Sequence, residues 1–478
     1  MSIVQALTPH FHPDQVLCAE EDLLCYAYDA TGKSFMPKAV VFPRNPEDIS
    51  KVMQVANEHR VCVVPRGAGS GMTGGSLPES GGIVLVMTRF DHIVEIDTEN
   101  LVAVVEPGVV TSQLHKAVEA QGLFYPPDPA SMNFSTIGGN IAENSGGMRA
   151  VKYGTTKDYV LGLEVVLPNG EIIHTGSKCL KDVVGYNLTQ LLVGSEGTLG
   201  IITKAILKLL PLPEAKKTLT ATFPSILDAG KTVSEITRRK IIPTTMEFLD
   251  RHAVWCVDQY LQIGLASGAG AFMLIEVDGD LDQVEKNIEK VHAVCADNNA
   301  LDIQVAETPE GQNELWRMRR SVSASLAHLK PVVKINEDIV VPRASIPTII
   351  KHIEDVGEKY RVQIVNFGHA GDGNIHLNVL PQAEQVDAAH QAVEEVFDWV
   401  IELGGRISGE HGIGTSKREY IHKNLDTGAI AAMQAIKKAW DPNNILNPGK
   451  IFPEVLPWEY TSSTLDQRVN ISVAGICL

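Results

Sequence analysis

The segment 61-VCVVPRGAGSGMTGGS-76 joins an apolar run to a loop that contains five glycines. Residues 61–65 have the pattern of a short buried strand. A glycine-rich loop after a strand lets backbone N–H groups approach phosphate oxygens, because no Cβ stands in the way, and Arg66 adds a positive charge. No helix with the expected apolar period follows, so the segment is not the Rossmann dinucleotide fingerprint. A single loop of this kind is also typical of a tight turn.

Two more glycine-rich segments follow, 135-STIGGNIAENSGG-147 and 194-GSEGTLGIIT-203. Between them, residues 161–173 alternate as a hairpin around Asn169-Gly170. Three such loops within about the first 200 residues favour a large, extended ligand with a diphosphate and flat rings.

The chain has 478 residues, enough for two or three domains, and a formal net charge of -17. So acidic a chain is not expected to bind nucleic acid or anionic membranes nonspecifically. Seven cysteines without a CxxC pair argue against a disulfide framework, a zinc ribbon or an iron–sulfur cluster. The first residues do not resemble a signal peptide, and no apolar run is long enough to span a membrane. We expect a cytoplasmic protein; peripheral membrane association through a partner stays open.

The composition changes after 211-PLPEAKK-217. Two strand–helix–strand patterns follow, over residues 218–250 and 271–307. Such units in series predict a ferredoxin-like antiparallel sheet with helices on one face, so the fold class is α+β with a domain boundary near residue 214.

In 367-FGHAGDGNIHLN-378, residues after Gly373 alternate with period two. His376 and Asn378 therefore share one strand face, and His369 lies across a Gly-Asp-Gly turn. With Glu410, the two imidazoles would leave open coordination positions, as catalytic zinc sites do. The seven-residue spacing of the histidines is not a common zinc motif, so polar turn residues and a hydrogen-bonded histidine remain the alternative.

His411 follows Glu410, and neighbours in an extended segment point apart, so His411 is free to act as a base. A structural, hydrogen-bonded histidine is the alternative. On the helix predicted from residue 310, Arg319 and Ser323 share a face, and Arg319 can grip a carboxylate with two hydrogen bonds. Lys334 lies on a strand just beyond. A solvated helix face is the alternative for Arg319.

Together these segments resemble a known family. PRGAGSGMTGGS, PPDPASMNFSTIGGNIAENSGG, KYGTTKDYVLGLEVVLPNG and GSEGTLGIIT resemble the FAD-binding domain of the vanillyl-alcohol-oxidase type. LWRMRRSVSASL, FGHAGDGNIHLN, ISGEHGIG and DPNNILNPGK extend the resemblance, to about residue 453, to FAD-linked D-lactate dehydrogenases, glycolate oxidase flavin subunits and D-2-hydroxyglutarate dehydrogenases. The last 25 residues match nothing known to us.

The resemblance implies an FAD-binding domain (1–213), a substrate or cap domain with a metal site (214–420) and a C-terminal segment returning to the FAD domain (421–478). It implies noncovalent FAD, because relatives with covalent flavin carry a histidine in the first loop and this loop has none. The implied cofactor residues are Arg66, Gly67, Ala68, Gly69, Ser70, Gly71, Pro127, Asp128, Thr136, Gly138, Gly139, Asn144, Gly147, Glu196, Gly197 and Ile202.

The resemblance also implies roles in the second half. His369, His376 and Glu410 would hold a divalent metal, often zinc, with Asn378 near the substrate and His411 as general base. Arg319, Ser323 and Lys334 would bind substrate, although the family often has Thr where this chain has Ser323.

The implied reaction oxidises a D-2-hydroxy acid, D-lactate first or else glycolate, to the 2-oxo acid by hydride transfer to flavin. Electrons would pass to a separate acceptor, namely an electron-transfer flavoprotein, an iron–sulfur subunit, a quinone or a cytochrome. Rival functions are a noncatalytic or differently specific flavin subunit of a larger oxidase complex, a same-fold aryl-alcohol oxidase or ether-lipid synthase, and a metal hydrolase. No nucleic-acid partner is expected, and a homo-oligomer stays open.

Overall fold

The structure is a computed structural model that describes residues 2–264, 268–329 and 333–453. Cys477 and the part of the predicted C-terminal segment beyond residue 453 lie outside the described residues. None of the helices in these ranges is long and apolar enough to cross a membrane.

The N-terminal part contains two sheets and a two-stranded ladder. Its strands are β1 (Val16–Leu17), β2 (Ala39–Val41), β3 (Val63–Arg66), β4 (Ile83–Val86), β5 (Ile93–Asp97), β6 (Val102–Val105), β7 (Leu123–Phe124), β8 (Val160–Val166), β9 (Ile172–Gly176), β10 (Ile201–Lys208) and β11 (Leu210–Pro211). The first sheet has the order β1-β2-β4-β3, with β2, β3 and β4 parallel. The second is antiparallel with the order β5-β6-β10-β8-β9, and β7 pairs with β11.

Seven helices accompany these strands: α1 (Ile3–Leu7), α2 (Glu20–Leu24), α3 (Pro46–His59), α4 (Thr111–Glu119), α5 (Ile137–Glu143), α6 (Ala150–Tyr153) and α7 (Leu188–Leu192). The start of α3 is as the sequence predicts. The Asn45 side chain accepts the N–H of Asp48 at 2.8 Å, and Pro46 occupies the first turn. As expected, no helix follows β3; a loop runs from Gly67 to β4.

The second part is built on one seven-stranded sheet, antiparallel throughout. Its strands are β12 (Ala215–Phe223), β13 (Thr245–Asp250), β14 (Ala271–Gly279), β15 (Asp302–Val305), β16 (Ile335–Val340), β17 (Gln363–His369) and β18 (Asn374–Leu380). The order is β15-β12-β14-β13-β17-β18-β16. The first four strands have the ferredoxin-like arrangement, and β13 pairs with β17 to continue the sheet.

The helices of this part and of the C-terminal segment are α8 (Ile226–Arg238), α9 (Arg251–Leu261), α10 (Leu281–Asp297), α11 (Pro309–His328), α12 (Ile346–Tyr360), α13 (Val386–Glu402), α14 (Ile421–Asn424) and α15 (Thr427–Trp440). Helices α8, α10, α12 and α13 share one apolar core with the sheet. Helices α9 and α11 pack on the opposite face, against Leu249, Phe272 and Leu274. The expectation that helices cover only one face is therefore wrong, because this second face also carries large apolar side chains that require burial.

The chain returns to the first sheet after α15. The N–H of Val63 donates to the carbonyl of Ile445 at 2.8 Å, and the N–H of Asn447 donates to Val63 at 2.8 Å. The Asn447 side chain also donates to the carbonyls of Gly75 and Glu196. These contacts join residues 445–447 to the glycine-rich loops, while the domain limits 1–213, 214–420 and 421–478 stay a prediction.

Candidate functional site

A cavity of about 390 Å³ lies between the three glycine-rich loops. Most residues expected to bind the cofactor line it, namely Arg66, Gly67, Ala68, Gly69, Ser70, Gly71, Thr136, Gly138, Gly139, Glu196, Gly197 and Ile202. The tertiary structure thus brings together three segments that are far apart in the sequence. The cavity suits a single extended ligand that touches all three loops.

The other expected cofactor residues do not line the cavity; they are Pro127, Asp128, Asn144 and Gly147. Asp128 accepts the N–H of Arg149 at 3.1 Å, and burial raises the pKa of its carboxyl to about 6. Asn144 accepts the N–H of Lys157 at 2.8 Å. The Asp128 and Asn144 side chains therefore have partners within the protein, and a cofactor role for all four residues stays a prediction.

Arg66 supplies a buried positive charge to the cavity. It is 6% exposed, donates to the carbonyl of Tyr28 at 2.7 Å and lies 3.4 Å from the Ser76 hydroxyl. Within the described ranges it forms no ion pair, and burial lowers its pKa. A Cβ on Gly69 would stand 2.1 Å from the guanidinium, so a larger residue there would displace the Arg66 side chain, and the φ of +71° also favours glycine. A buried cation that makes no direct ion pair, and feels the charge of Asp29 only at longer range, favours an anionic ligand, because leaving such a charge without a contacting anion is costly.

Two further residues of the cavity wall were not singled out from the sequence. Phe134 is 57% exposed and offers a flat ring to a ligand. The Oε2 atom of Glu143 is shielded from water and has no hydrogen-bond partner in the described part of the chain. Burial and, to a lesser degree, the neighbouring Glu196 raise the pKa of Glu143 well above its usual value. Both residues lie in the second glycine-rich segment or just before it, so that segment was the available signal.

All three predicted metal ligands meet at one point. His369 ends β17, His376 lies on β18, and Glu410 comes from a later loop. The Oε1 atom of Glu410 lies 3.6 Å from His369 Nε2 and 3.4 Å from His376 Nε2, and the two Nε2 atoms are 3.4 Å apart. Two ligand atoms about 2.1 Å from a tetrahedral zinc lie about 3.4 Å from each other. The spacing therefore suits one small cation with an open fourth position.

The buried carboxylate of Glu247 hydrogen-bonds to the Nδ1 atom of His369, on the side of the ring away from Glu410. Glu247 on β13 lies 2.5 Å from His369 Nδ1 through Oε1, and accepts from Arg319 Nε at 2.6 Å through Oε2. Burial acts to raise the pKa of Glu247, but the charges of His369 and Arg319 outweigh it and lower that pKa. Because Glu247 occupies Nδ1, the Nε2 atom of His369 is left for a metal. Burial lowers the pKa of His376 to about 3, so its imidazole is neutral and can also act as a ligand.

The cluster formed by His369, His376 and Glu410 adjoins the cavity, because Glu410 and the next residue, His411, both line the cavity wall. His411 Nε2 lies 4.0 Å from Glu410 Oε1, and His411 Nδ1 lies 3.5 Å from Asp338 Oδ1. Burial opposes ionisation of Asp338, but His411, Lys417 and backbone N–H groups outweigh it and lower its pKa. His411 thus stands between a carboxylate, the cluster and the cavity, as a proton acceptor would.

The predicted substrate-binding residues differ in how close they lie to the cluster. Arg319 contacts Glu247 and so reaches the cluster, whereas Ser323 and Lys334 are exposed and have no hydrogen bond or ion pair to the cluster among the described residues. Asn378 is fully buried, and its amide donates to the carbonyls of Val365 and His376.

Glu247 and Asp338 are the functional candidates that the sequence did not reveal. Each is a buried acid inside a strand. Glu247 reaches His369 on the paired strand β17, and Asp338 reaches the later loop at residues 409–411, so neither finds its partners nearby in the chain. The available signal was a charged residue within an otherwise apolar strand pattern, since buried charges require partners.

Comparison with known protein families matches two consecutive parts of the chain. Residues 37–176 match the FAD binding domain model, and residues 212–451 match the model of the C-terminal domain of FAD linked oxidases. The first match covers two of the three glycine-rich loops, and the second covers the histidine cluster.

Among curated proteins, the chain is 51% identical to glycolate oxidase subunit GlcD of Bacillus subtilis (strain 168), over 90% of this chain and 92% of that protein. It is 35% identical to D-lactate dehydrogenase of Anaerostipes hadrus, over 92% and 95%. The crystal structure of p-cresol methylhydroxylase with substrate bound has the same fold, with a TM-score of 0.77, 19% identity and coverage of 94% and 96%. The predicted fold class and family resemblance are confirmed, and the chain belongs to the family of FAD-linked oxidases.

Proposed function

We propose that the protein is an FAD-dependent dehydrogenase that oxidises a D-2-hydroxy acid to the corresponding 2-oxo acid. One observation carries the proposal: Glu410 belongs to the cluster of His369, His376 and Glu410, and both Glu410 and its neighbour His411 line the wall of the flavin cavity. A substrate bound at the cluster would therefore sit beside both a base and the cofactor.

The cavity residues fit FAD. Arg66 and the backbone of residues 67–71 would hold the diphosphate, and Phe134 and Ile202 offer apolar surface to the rings. When bound, FAD supplies the two-electron chemistry by accepting the C2 hydride of the substrate. The first loop contains no histidine, which supports noncovalent attachment.

The cluster residues fit a divalent metal, and zinc is the one we propose. His369, His376 and Glu410 would be its ligands, and Glu247 would fix the orientation of His369. When bound, the metal would lower the pKa of the substrate 2-hydroxyl.

The remaining residues bind substrate and move one proton. Glu247 takes the Nε–H of Arg319, which leaves the two Nη groups of Arg319 to grip the substrate carboxylate, with Lys334 as a second cation. His411 would take the hydroxyl proton on Nε2, and the carboxylate of Asp338 beside Nδ1 would stabilise the imidazolium. Asn378 and Ser323 complete the proposed substrate set.

The named relatives guide the choice of substrate and acceptor. One is a glycolate oxidase subunit and another a D-lactate dehydrogenase, so D-lactate is the first substrate to test and glycolate the second. Electrons would leave to a separate acceptor, which we propose to be an electron-transfer flavoprotein, an iron–sulfur subunit, a quinone or a cytochrome. We place the protein in the cytoplasm, with membrane contact only through such a partner.

The test is the visible spectrum of the purified protein under argon, before and after addition of D-lactate, L-lactate or glycolate. Bleaching of the flavin band with D-lactate but not L-lactate is expected. A yellow protein that none of a panel of 2-hydroxy acids bleaches would contradict the proposed activity. A protein that stays colourless with added FAD would contradict flavin binding.

A further inference from the structure

The segment 409–414 carries both Glu410 and His411, and a buried carboxylate holds its first half. Asp338 Oδ2 accepts three successive backbone N–H groups, from Gly409 at 2.8 Å, Glu410 at 2.6 Å and His411 at 3.0 Å. Successive N–H groups aimed at one oxygen form an anion-binding concavity, and each bond is charge-assisted. This geometry ties the backbone of both functional residues to β16.

A second buried carboxylate holds the other half of the segment. Glu196 accepts the N–H of Ile413 at 2.8 Å through Oε1 and the N–H of Gly414 at 2.6 Å through Oε2. Gly412 has φ of +81°, and a Cβ there would stand 2.3 Å from Glu143 Oε2 and 3.1 Å from Glu196 Oε1. A glycine at position 412 therefore lets the backbone pack closely against both carboxylates.

The two carboxylates differ in how their charge is balanced. Asp338 forms an ion pair with Lys417, which is 1% exposed and also donates to the carbonyl of Ile407. Glu196 has no ion pair within the part of the chain that the structure describes. Its two oxygens are instead occupied by the segment, and burial of such a charge is tolerated only with bonds of this kind.

We infer that Glu196 and Asp338 are positioning residues that together set the backbone of segment 409–414, and so the placement of Glu410 and His411. The inference rests on the proposed function, which assigns metal binding to Glu410 and base catalysis to His411. Glu196 belongs to the third glycine-rich loop and lines the flavin cavity, so it connects that cavity to the histidine cluster. This assigns Glu196 a role beyond cofactor contact.

Hydrogen exchange tests the geometry without any metal. In Glu196→Gln, the amide has one acceptor oxygen for two N–H groups, so exchange should accelerate at least about tenfold at one of Ile413 and Gly414 or at both, while residues 409–411 stay protected. Asp338→Asn should show the converse pattern where it folds; because that change leaves Lys417 unpaired, Glu196→Gln is the deciding variant. Unchanged exchange at Ile413 and Gly414 would overturn the inference.

Asp441→Asn provides the control for loss of stability. Asp441 is also buried, and also accepts two backbone N–H groups, from Ile445 at 2.9 Å and Leu446 at 2.8 Å. It also forms an ion pair with Lys437 at 2.6 Å, so this variant should lose at least as much stability as Glu196→Gln. It lies outside segment 409–414 and the cavity wall. The control should lose stability without changing exchange in segment 409–414.

Measurements of metal affinity and turnover then distinguish a positioning role of Glu196 from a general effect on protein stability. Titration of the metal-free holoflavoprotein with Zn²⁺ should give a dissociation constant about 10–100-fold higher for Glu196→Gln than for wild type, with kcat reduced while KM changes little. Asp441→Asn should leave both unchanged. Faster exchange with unaltered zinc affinity and unaltered kcat would refute positioning. Suppose that the wild-type protein binds no zinc, while Glu196→Gln still shows faster exchange and a lower kcat. That outcome would refute the proposed metal and leave the positioning role intact.

Discussion

Glu247 offers the sharpest quantitative test of the proposed metal site. Its carboxylate lies between His369 Nδ1 at 2.5 Å and Arg319 Nε at 2.6 Å, and the side chain is fully buried. In Glu247→Gln the shape is kept but the negative charge is lost. Arg319 then lacks its counter-ion, and the single amide oxygen can accept from His369 Nδ1 or from Arg319 Nε but not from both.

Two independent magnitudes agree for the effect on metal binding. A hydrogen bond to a charged group contributes about 1.5–3 kcal/mol. Loss of the carboxylate behind a metal-bound histidine typically weakens metal binding about 10–100-fold, which is about 1.4–2.7 kcal/mol. We therefore expect the Zn²⁺ dissociation constant of Glu247→Gln to rise by one to two orders of magnitude.

The assay is competition between the metal-free protein and a chromophoric zinc chelator. Glu276→Gln is the matched control, because Glu276 is a buried glutamate on the same face of the same sheet. It accepts from the Thr218 hydroxyl at 2.7 Å and from Trp316 Nε1 at 3.1 Å, both neutral donors outside the cluster. Equal zinc affinity in Glu247→Gln and wild type, or an equal loss in both variants, would refute the role assigned to Glu247.

Three further predictions address the cavity, the base and a buried histidine. Gly69→Ala should weaken FAD binding at least about tenfold, because Gly69 has φ of +71° and the added Cβ would stand 2.1 Å from Arg66. Flavin absorbance of the purified protein measures the bound FAD, and a variant with the full flavin content of wild type would contradict the prediction. His411→Ala should lower kcat about 10²–10⁴-fold while the flavin content stays normal, and unchanged turnover would remove the base assignment. Burial lowers the pKa of His115 to about 4, below its value of about 6.5 in the unfolded chain, so the native state keeps the imidazole neutral. The free energy of unfolding should therefore fall by up to about 3 kcal/mol as the pH falls from about 6.5 to 4. His115→Gln keeps a donor for the Pro127 carbonyl and should lose less stability over that range, as measured by urea unfolding; an equal loss in variant and wild type would contradict the assignment.

The sequence by itself determined the local elements and the content of the site. Period-two alternation places His376 and Asn378 on one face of β18, and Asn45 with Pro46 begins α3, as predicted. The three glycine-rich loops, recognised one by one, predicted a cavity for an extended ligand. Such features are visible because a strand's period, a helix cap and a glycine loop each depend on residues close together in the chain.

Only the tertiary structure decided which residues meet. Glu247 contacts His369 across 122 positions in the chain, and Asp338 reaches Glu410 across 72. The pairing of β13 with β17 joins two strand groups into one sheet, and that pairing brings Glu247 beside His369. A local pattern states which way a side chain points but not which strand lies next to it. Strand order is set by burial of apolar faces over the whole domain, and the partners of buried acids follow from that order.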